Sequence, residues 1–123
     1  MEENYIKLGD LLVYRLALQL SCDIWIIYKK MGWQIKKIMG DQTITAIDSV
    51  GANIAEGYGR YHYLDRIKFY YNARGSLLEA KHWVYLLRKR NIIIIEKADD
   101  LFIQLNNLHQ QLNKFIRSCR PIQ

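Results

Sequence analysis

Residues 101–115 read LFIQLNNLHQQLNKF, and apolar side chains recur in this stretch at steps of three and four residues. The repeating positions are Leu101, Leu105, Leu108, Leu112 and Phe115. Because this spacing keeps the five side chains on one side of a helix, it predicts a helix with a narrow buried stripe. We expect this helix to span about 96–118.

Three segments upstream show helical patterns as well. The segment at about 10–30 has Asp10 as its predicted N-cap, Lys29 and Lys30 in its last turn, and Gly32 as a terminator. The segment at about 34–58 alternates apolar with small residues and ends in the GYG sequence at 57–59. A third predicted helix covers about 63–90.

The length of 123 residues fits a single domain, 1–123, with no linker or repeat. The only proline is Pro121, which favours long helices over many short strands. Four consecutive isoleucines at 92–95 predict an apolar connector packed over the end of the bundle rather than a strand. Short connections make neighbouring helices antiparallel, so we predict an all-α, antiparallel up-and-down four-helix bundle.

The net charge indicates which class of partner to expect. A net charge of +6 favours polyanions, meaning nucleic acid or an anionic membrane surface. Arg15 and Asp23 interrupt the apolar stretch at 11–28, which predicts a buried bundle helix rather than a membrane span. The acidic start MEEN argues against a signal peptide. Cys22 and Cys119 are expected to be buried, reduced thiols of a cytoplasmic protein.

The most distinctive stretch is SVGANIAEGYGR at 49–60, followed by ARGSLLE at 73–79. Glycine and serine in the second stretch predict close contact with the small side chains of the first. Arg74 is the expected partner of Glu56, because a half-buried carboxylate needs a counter-charge. The polar residues beside the apolar seam suggest a hydrogen-bonded network within or between helices, and the alternative is that they only fix the packing and register of the helices. The residues predicted to set packing and the subunit interface are Asn53, Glu56, Gly57, Gly75, Ser76 and Glu79.

The NIAEG sequence at 53–57, followed by GSL at 75–77 and Glu79, resembles the four helix bundle protein family. That family includes proteins encoded in intervening sequences of bacterial 23S ribosomal RNA genes. The chain is also similar to the accessory variability protein of diversity-generating retroelements. The resemblance implies a basic pentameric ring and, for the retroelement relatives, binding to nucleic acid and a reverse transcriptase. The chain departs from the pattern at Ile44 and Thr45, where relatives commonly carry a basic pair.

A row of cations marks the third predicted helix. At about 100° per residue, its basic side chains fall within an arc of roughly 80°, together with Tyr63 and Tyr70. Such a row suits phosphate contact with base stacking, although a solvated face has the same pattern. A second basic cluster surrounds the first loop, at residues 29, 30, 36 and 37. The residues predicted to bind nucleic acid are Arg66, Arg74, Lys81, Arg88, Lys89 and Arg90.

The residue combinations that enzyme active sites require are incomplete in this sequence. Glu79 and His82 have the Glu-x-x-His spacing of di-iron bundles, but the second such pair and two further glutamates are missing. Gly57, Gly59 and His62 lack the third glycine of a phosphate-cradling loop. Ser76 has no histidine placed to act as its base. We expect no enzymatic activity, no metal and no cofactor.

These patterns together predict a non-enzymatic, basic accessory protein. It would form a pentamer-like homo-oligomeric ring that binds RNA or DNA electrostatically, with little sequence specificity. The alternative is a protein–protein interaction scaffold with no nucleic-acid role, since aromatic residues favour interfaces. Its partner would be a reverse transcriptase or another element-encoded protein, and no membrane partner is expected.

Overall fold

Within residues 6–119, the part of the chain that this computed structural model describes, four helices form an antiparallel bundle without strands. The predicted fold class is confirmed. The acidic residues on which the signal-peptide expectation rests lie outside this part of the chain. The helices are α1 (Leu12–Lys29), α2 (an α-helical turn Trp33–Ile35, a π-helical segment Lys36–Gly40 and an α-helix Asp41–Tyr58), α3 (Tyr63–Lys89) and α4 (Ile95–Ser118).

The start of α1 differs from the prediction. Asp10 lies in a short 3-10 turn, Leu8–Asp10, in which the backbone N–H of Leu11 donates to the carbonyl of Leu8 at 3.0 Å. Leu11 then occupies the N-cap position with an extended backbone and no side-chain hydrogen bond. Asp10 as the N-cap is therefore wrong, because the 3-10 turn moves the N-cap by one residue, to Leu11.

Two consecutive residues of the π-helical segment of α2, Met39 and Gly40, are buried. A Cβ at Gly40 would lie 2.8 Å from Met31 Sδ, so only glycine allows the first loop to pack this closely. One turn later, the hydroxyl of Thr43 donates to the carbonyl of Met39 at 2.8 Å. This bond satisfies the one polar side chain buried among the described residues.

Each helix packs against two neighbours. α1 contacts α2 and α4, α3 contacts the same two helices, and α1 and α3 therefore lie diagonally across the bundle. The contact between α2 and α3 is the most extensive. The four predicted leucines of α4 are buried, whereas Phe115 is half-buried and packs edge-on against Tyr70 at 4.8 Å.

The turn between α3 and α4 depends on Asn91, whose φ of 58° is left-handed. The N–H of Ile92 donates to the carbonyl of Leu87 at 2.9 Å and closes the end of α3. The isoleucine run forms a connector, as predicted, but only Ile93 is buried. Ile94 and Ile95 are 69% and 58% exposed, because α4 already begins at the last isoleucine.

The expectation that both cysteines are buried is wrong. α1 buries positions 13, 17, 20 and 24, and Cys22 lies on the other side of the helix, where it is exposed. Cys119 is half-buried, and its thiol donates to the carbonyl of Phe115 at 3.1 Å.

None of the helices in residues 6–119 combines the length and the apolar character that crossing a bilayer demands.

Candidate nucleic-acid interface

The predicted cationic row of α3 runs beside α4. Arg66, Arg74, Lys81 and Arg88 are all half-buried, and two of them contact α4 directly. The Arg74 guanidinium donates to Asn113 Oδ1 at 3.0 Å. The cations are therefore packed into the seam between two helices, rather than fully solvated.

Arg74 does not pair with Glu56, so that prediction is wrong. The carboxylate of Glu56 instead accepts from Arg60 at 2.6 Å, one turn further along its own segment. Arg74 lies over the Tyr71 ring, 5.0 Å from its centroid, besides its bond to Asn113. The local pair forms because residues four apart on a helix are neighbours.

Lys81 and His109 form the closest contact between nitrogen groups in this seam. The Lys81 ammonium donates to His109 Nδ1 over 2.7 Å. Burial lowers the pKa of Lys81. The pKa of His109 is lowered by burial first, and then by the positive charges of Lys81 and Arg74. Both effects favour the neutral imidazole, and a neutral ring that accepts from Lys81 at Nδ1 carries its proton on Nε2.

Arg66 and Arg88, at the two ends of the row, differ from the others. Arg66 donates to the carbonyl of Tyr61 at 2.6 Å and so holds the turn between α2 and α3. Arg88 Nε is buried and has no hydrogen-bond partner within the described residues. Among residues 6–119, none of the four cations of the row forms an ion pair with a carboxylate.

The sequence around the seam is poor in acidic residues. The stretches 66–90 and 101–119 hold nine lysines and arginines but one carboxylate, Glu79. Glu79 is exposed and accepts from Trp83 Nε1 at 3.3 Å. The acidic residues of α4 are confined to its first two turns. Within these two stretches the cations therefore outnumber the carboxylates, whereas the first turn of α3 carries Asp65 and the first two turns of α4 carry Glu96, Asp99 and Asp100.

Lys89 and Arg90 are exposed at the end of α3. The first loop lies at the same end of the bundle, because the helices alternate in direction. Lys30 and Lys97 line a cleft of about 460 Å³ there, together with Asn91 and isoleucines from both loops. Two basic clusters that are distant in the sequence, at 29–37 and 88–90, are thus brought to one end of the molecule.

The two glycines predicted to set packing differ in their surroundings: Gly57 lies where two helices approach closely, and Gly75 does not. A Cβ at Gly57 would lie 2.7 Å from Tyr70 Cε1, so α2 and α3 approach closely at this position. Gly75 is exposed, and a Cβ there would meet no atom within 4 Å. Its predicted contact with α2 is wrong, because position 75 lies on the outward face of α3.

The remaining predicted packing residues form local contacts. Asn53 Nδ2 donates to the carbonyl of Ser49 at 2.9 Å, within the same helix. Ser76 is half-buried, and Glu56 and Glu79 are exposed. The polar set therefore forms no network between α2 and α3.

The exposed tyrosines of α3 are not the ones that the sequence predicted. Tyr70 is buried, and burial raises its pKa to about 12, so it offers no face for base stacking. Tyr71 and Tyr85 are 50% and 46% exposed. Each lies beneath a cation, at 5.0 Å from Arg74 and 5.7 Å from Lys89 respectively.

Sequence reasoning missed His109 and Asn113, which complete the seam from α4. Their signal was their spacing of four residues beside the leucine stripe, which places them on the flank of α4 that faces α3. Within residues 6–119, no three His, Cys, Asp or Glu side chains come together as a metal site would require.

The four antiparallel helices define a four-helix-bundle protein. The family model for the 23S rRNA-intervening sequence protein matches residues 9–114, and the chain belongs to that family. A similar solved structure is a protein of unknown function of the S23 ribosomal protein family from Bacteroides thetaiotaomicron. It shares 22% identity at a TM-score of 0.79, over 87% of this chain and 96% of that one. No protein of curated function matches the chain.

Proposed function

We propose that this protein is a non-enzymatic, homo-oligomeric accessory protein that binds nucleic acid through the side formed by α3 and α4. The observation that carries the proposal is the excess of nine cations over one carboxylate in the stretches 66–90 and 101–119. Uncompensated cations favour binding to phosphates, because contact with them releases condensed counterions.

The contacts of these cations favour binding with little sequence specificity. Arg74 and Lys81 are held by neutral groups, an amide and an imidazole, so their charge is positioned without being cancelled.

The test is a fluorescence anisotropy titration of labelled RNA and DNA between about 50 and 200 mM salt. We expect the affinity to fall roughly a hundredfold over this range, which is the loss for about four phosphate contacts. Replacing Lys89 and Arg90 by glutamine should reduce the salt slope by about two. The matched control is Lys7→Gln with Arg15→Gln, which removes two exposed charges elsewhere. Absence of binding at the lowest salt would reject the proposal.

The homo-oligomeric part of the proposal is supported by apolar rows on opposite sides of the bundle. On α3, every seventh residue from 64 to 85 is apolar or aromatic and about half exposed or more: Leu64, Tyr71, Leu78 and Tyr85. On α1, Leu18 and Trp25 repeat the same spacing. Because α1 and α3 are diagonal, one row can contact the other row of the next copy, as in a closed ring.

A protein–protein scaffold is the second candidate function, and the cleft between the two loops supports it. Isoleucines line the cleft, and Lys30 and Lys97 stand at its edge. Charge complementarity favours an acidic, apolar segment of a partner protein, for example a reverse transcriptase encoded nearby. Ile92→Asp should abolish capture of such a partner and leave nucleic-acid binding unchanged if the two functions use separate surfaces.

A further inference from the structure

The seam between α3 and α4 contains nitrogen groups from three side chains. Lys81 Nζ lies 2.7 Å from His109 Nδ1, and one turn along α4 the Arg74 guanidinium is held at 3.0 Å from Asn113 Oδ1. All four side chains are half-buried, so they are ordered by packing and still reach the surface.

No carboxylate neutralises this group. The residues three and four positions away from His109 on α4 are uncharged: Leu105, Asn106, Leu112 and Asn113. On α3 the charged side chains that face His109 are Lys81 and Arg74, and both are positive. Glu79 is the nearest carboxylate in the α3 sequence, but it is exposed and bonded to Trp83. Cationic donors with no carboxylate among their neighbours are the arrangement that an anion requires.

We propose that Arg74, Lys81 and His109 form a binding site for one phosphate group in the α3–α4 seam. The site deepens the proposed function, because the group it takes is a backbone phosphate of the nucleic acid. The planar guanidinium fork and the ammonium supply separate donors to different oxygens of a tetrahedral anion. His109 supplies a third donor once it is protonated.

Binding and protonation are therefore coupled. In the free protein, burial together with Lys81 and Arg74 lowers the pKa of His109. A phosphate placed between these groups adds negative charge, which stabilises the imidazolium and the ammonium. Nucleic acid or inorganic phosphate should raise the pKa of His109 toward its ordinary value of 6.5.

The test follows the three histidine rings of the full chain by NMR during pH titrations with and without ligand. His62 and His82 are exposed and lie outside the seam, so they serve as internal controls. The probes are inorganic phosphate and a short single-stranded RNA. We expect the pKa of His109 to rise with both probes, and the ring signals of the two control histidines to be the same with and without ligand.

The arms of this experiment separate the site from the proposed function. A rise with inorganic phosphate alone supports the site and counts against nucleic-acid binding. No rise with either probe overturns the site, even if RNA still binds elsewhere. As a second measurement, Lys81→Gln should lower the salt slope of RNA binding by about one, and His82→Gln should leave it unchanged.

Discussion

Gly57 of α2 packs directly against the ring of Tyr70 of α3, and a Cβ at position 57 would lie 2.7 Å from Tyr70 Cε1. The same Cβ would lie 2.9 Å from Phe69 Cβ and 3.1 Å from the carbonyl of Arg66. Tyr70 is only 1% exposed and lies against Phe115, so its ring has no free space. The glycine thus determines how closely α2 and α3 pack at the last turn of α2.

Gly57→Ala should destabilise the protein. Alanine is favoured over glycine in a helix by about 1 kcal/mol, but the clash with buried Tyr70 costs about 1–3 kcal/mol, so the clash wins. Urea denaturation followed by circular dichroism measures the difference. Gly59→Ala is the matched control, because a Cβ there meets only ordinary van der Waals contacts, the nearest at 3.7 Å. Equal stability of the two variants would contradict the close approach at Gly57.

Much of the fold follows from the sequence because the four helices obey the helical period. The leucine stripe of α4 and the end of α2 at Tyr58 lie where the pattern places them. The π-helical segment Lys36–Gly40 does not follow from the pattern. It depends on the contact of Gly40 with Met31 and Tyr28 across the first loop, which local propensity does not encode.

The candidate site was harder to predict than the fold. The angle per residue placed the four cations on one side of α3, but it did not reveal their partners, because these belong to other segments. Asn113, His109 and the carbonyl of Tyr61 are all contributed by tertiary contacts or turns. The helical pattern also placed Tyr70 among the exposed residues, whereas Tyr70 is buried and its neighbour Tyr71 is exposed.

Replacing Arg66 by methionine should destabilise the bundle rather than weaken nucleic-acid binding selectively. The guanidinium donates to the carbonyl of Tyr61 at 2.6 Å and thereby fixes the turn before α3. Loss of a hydrogen bond from a charged donor costs about 1.5–3 kcal/mol, and the partial exposure of Arg66 places the loss at the lower end. Thermal and urea unfolding measure it. Arg60→Met is the control, since its exposed pair with Glu56 contributes about 0.5 kcal/mol. If Arg60→Met destabilised as much, the turn would not depend on Arg66.

Stability should decrease as the pH falls through the window just below 6.5, the ordinary pKa of histidine. Burial, Lys81 and Arg74 lower the pKa of His109 in the folded state, so in this window the unfolded chain binds more protons than the folded one. By linkage, the free energy of unfolding then rises with pH, so the protein loses stability on acidification.

The measurement is urea unfolding at closely spaced pH values, with His109→Gln as the variant that removes the titrating group. The wild-type curve should fall more steeply than that of the variant within the window. Parallel curves would show that His109 has the same proton affinity in both states, and that the seam does not hold it neutral.

Leu78→Glu should dissociate the proposed ring without unfolding the protomer. The side chain is 51% exposed at the centre of the apolar row of α3, so a carboxylate is tolerated in the monomer but is buried without a partner between two copies. Sedimentation equilibrium should show the wild type as a multiple of 14.6 kDa and the variant at the mass of one chain. Ile103→Glu is the matched control, because Ile103 is 71% exposed on α4 and belongs to neither row. If the wild type sediments as a single chain, the proposed ring is contradicted. If the variant stays assembled, the interface lies on another face of the bundle.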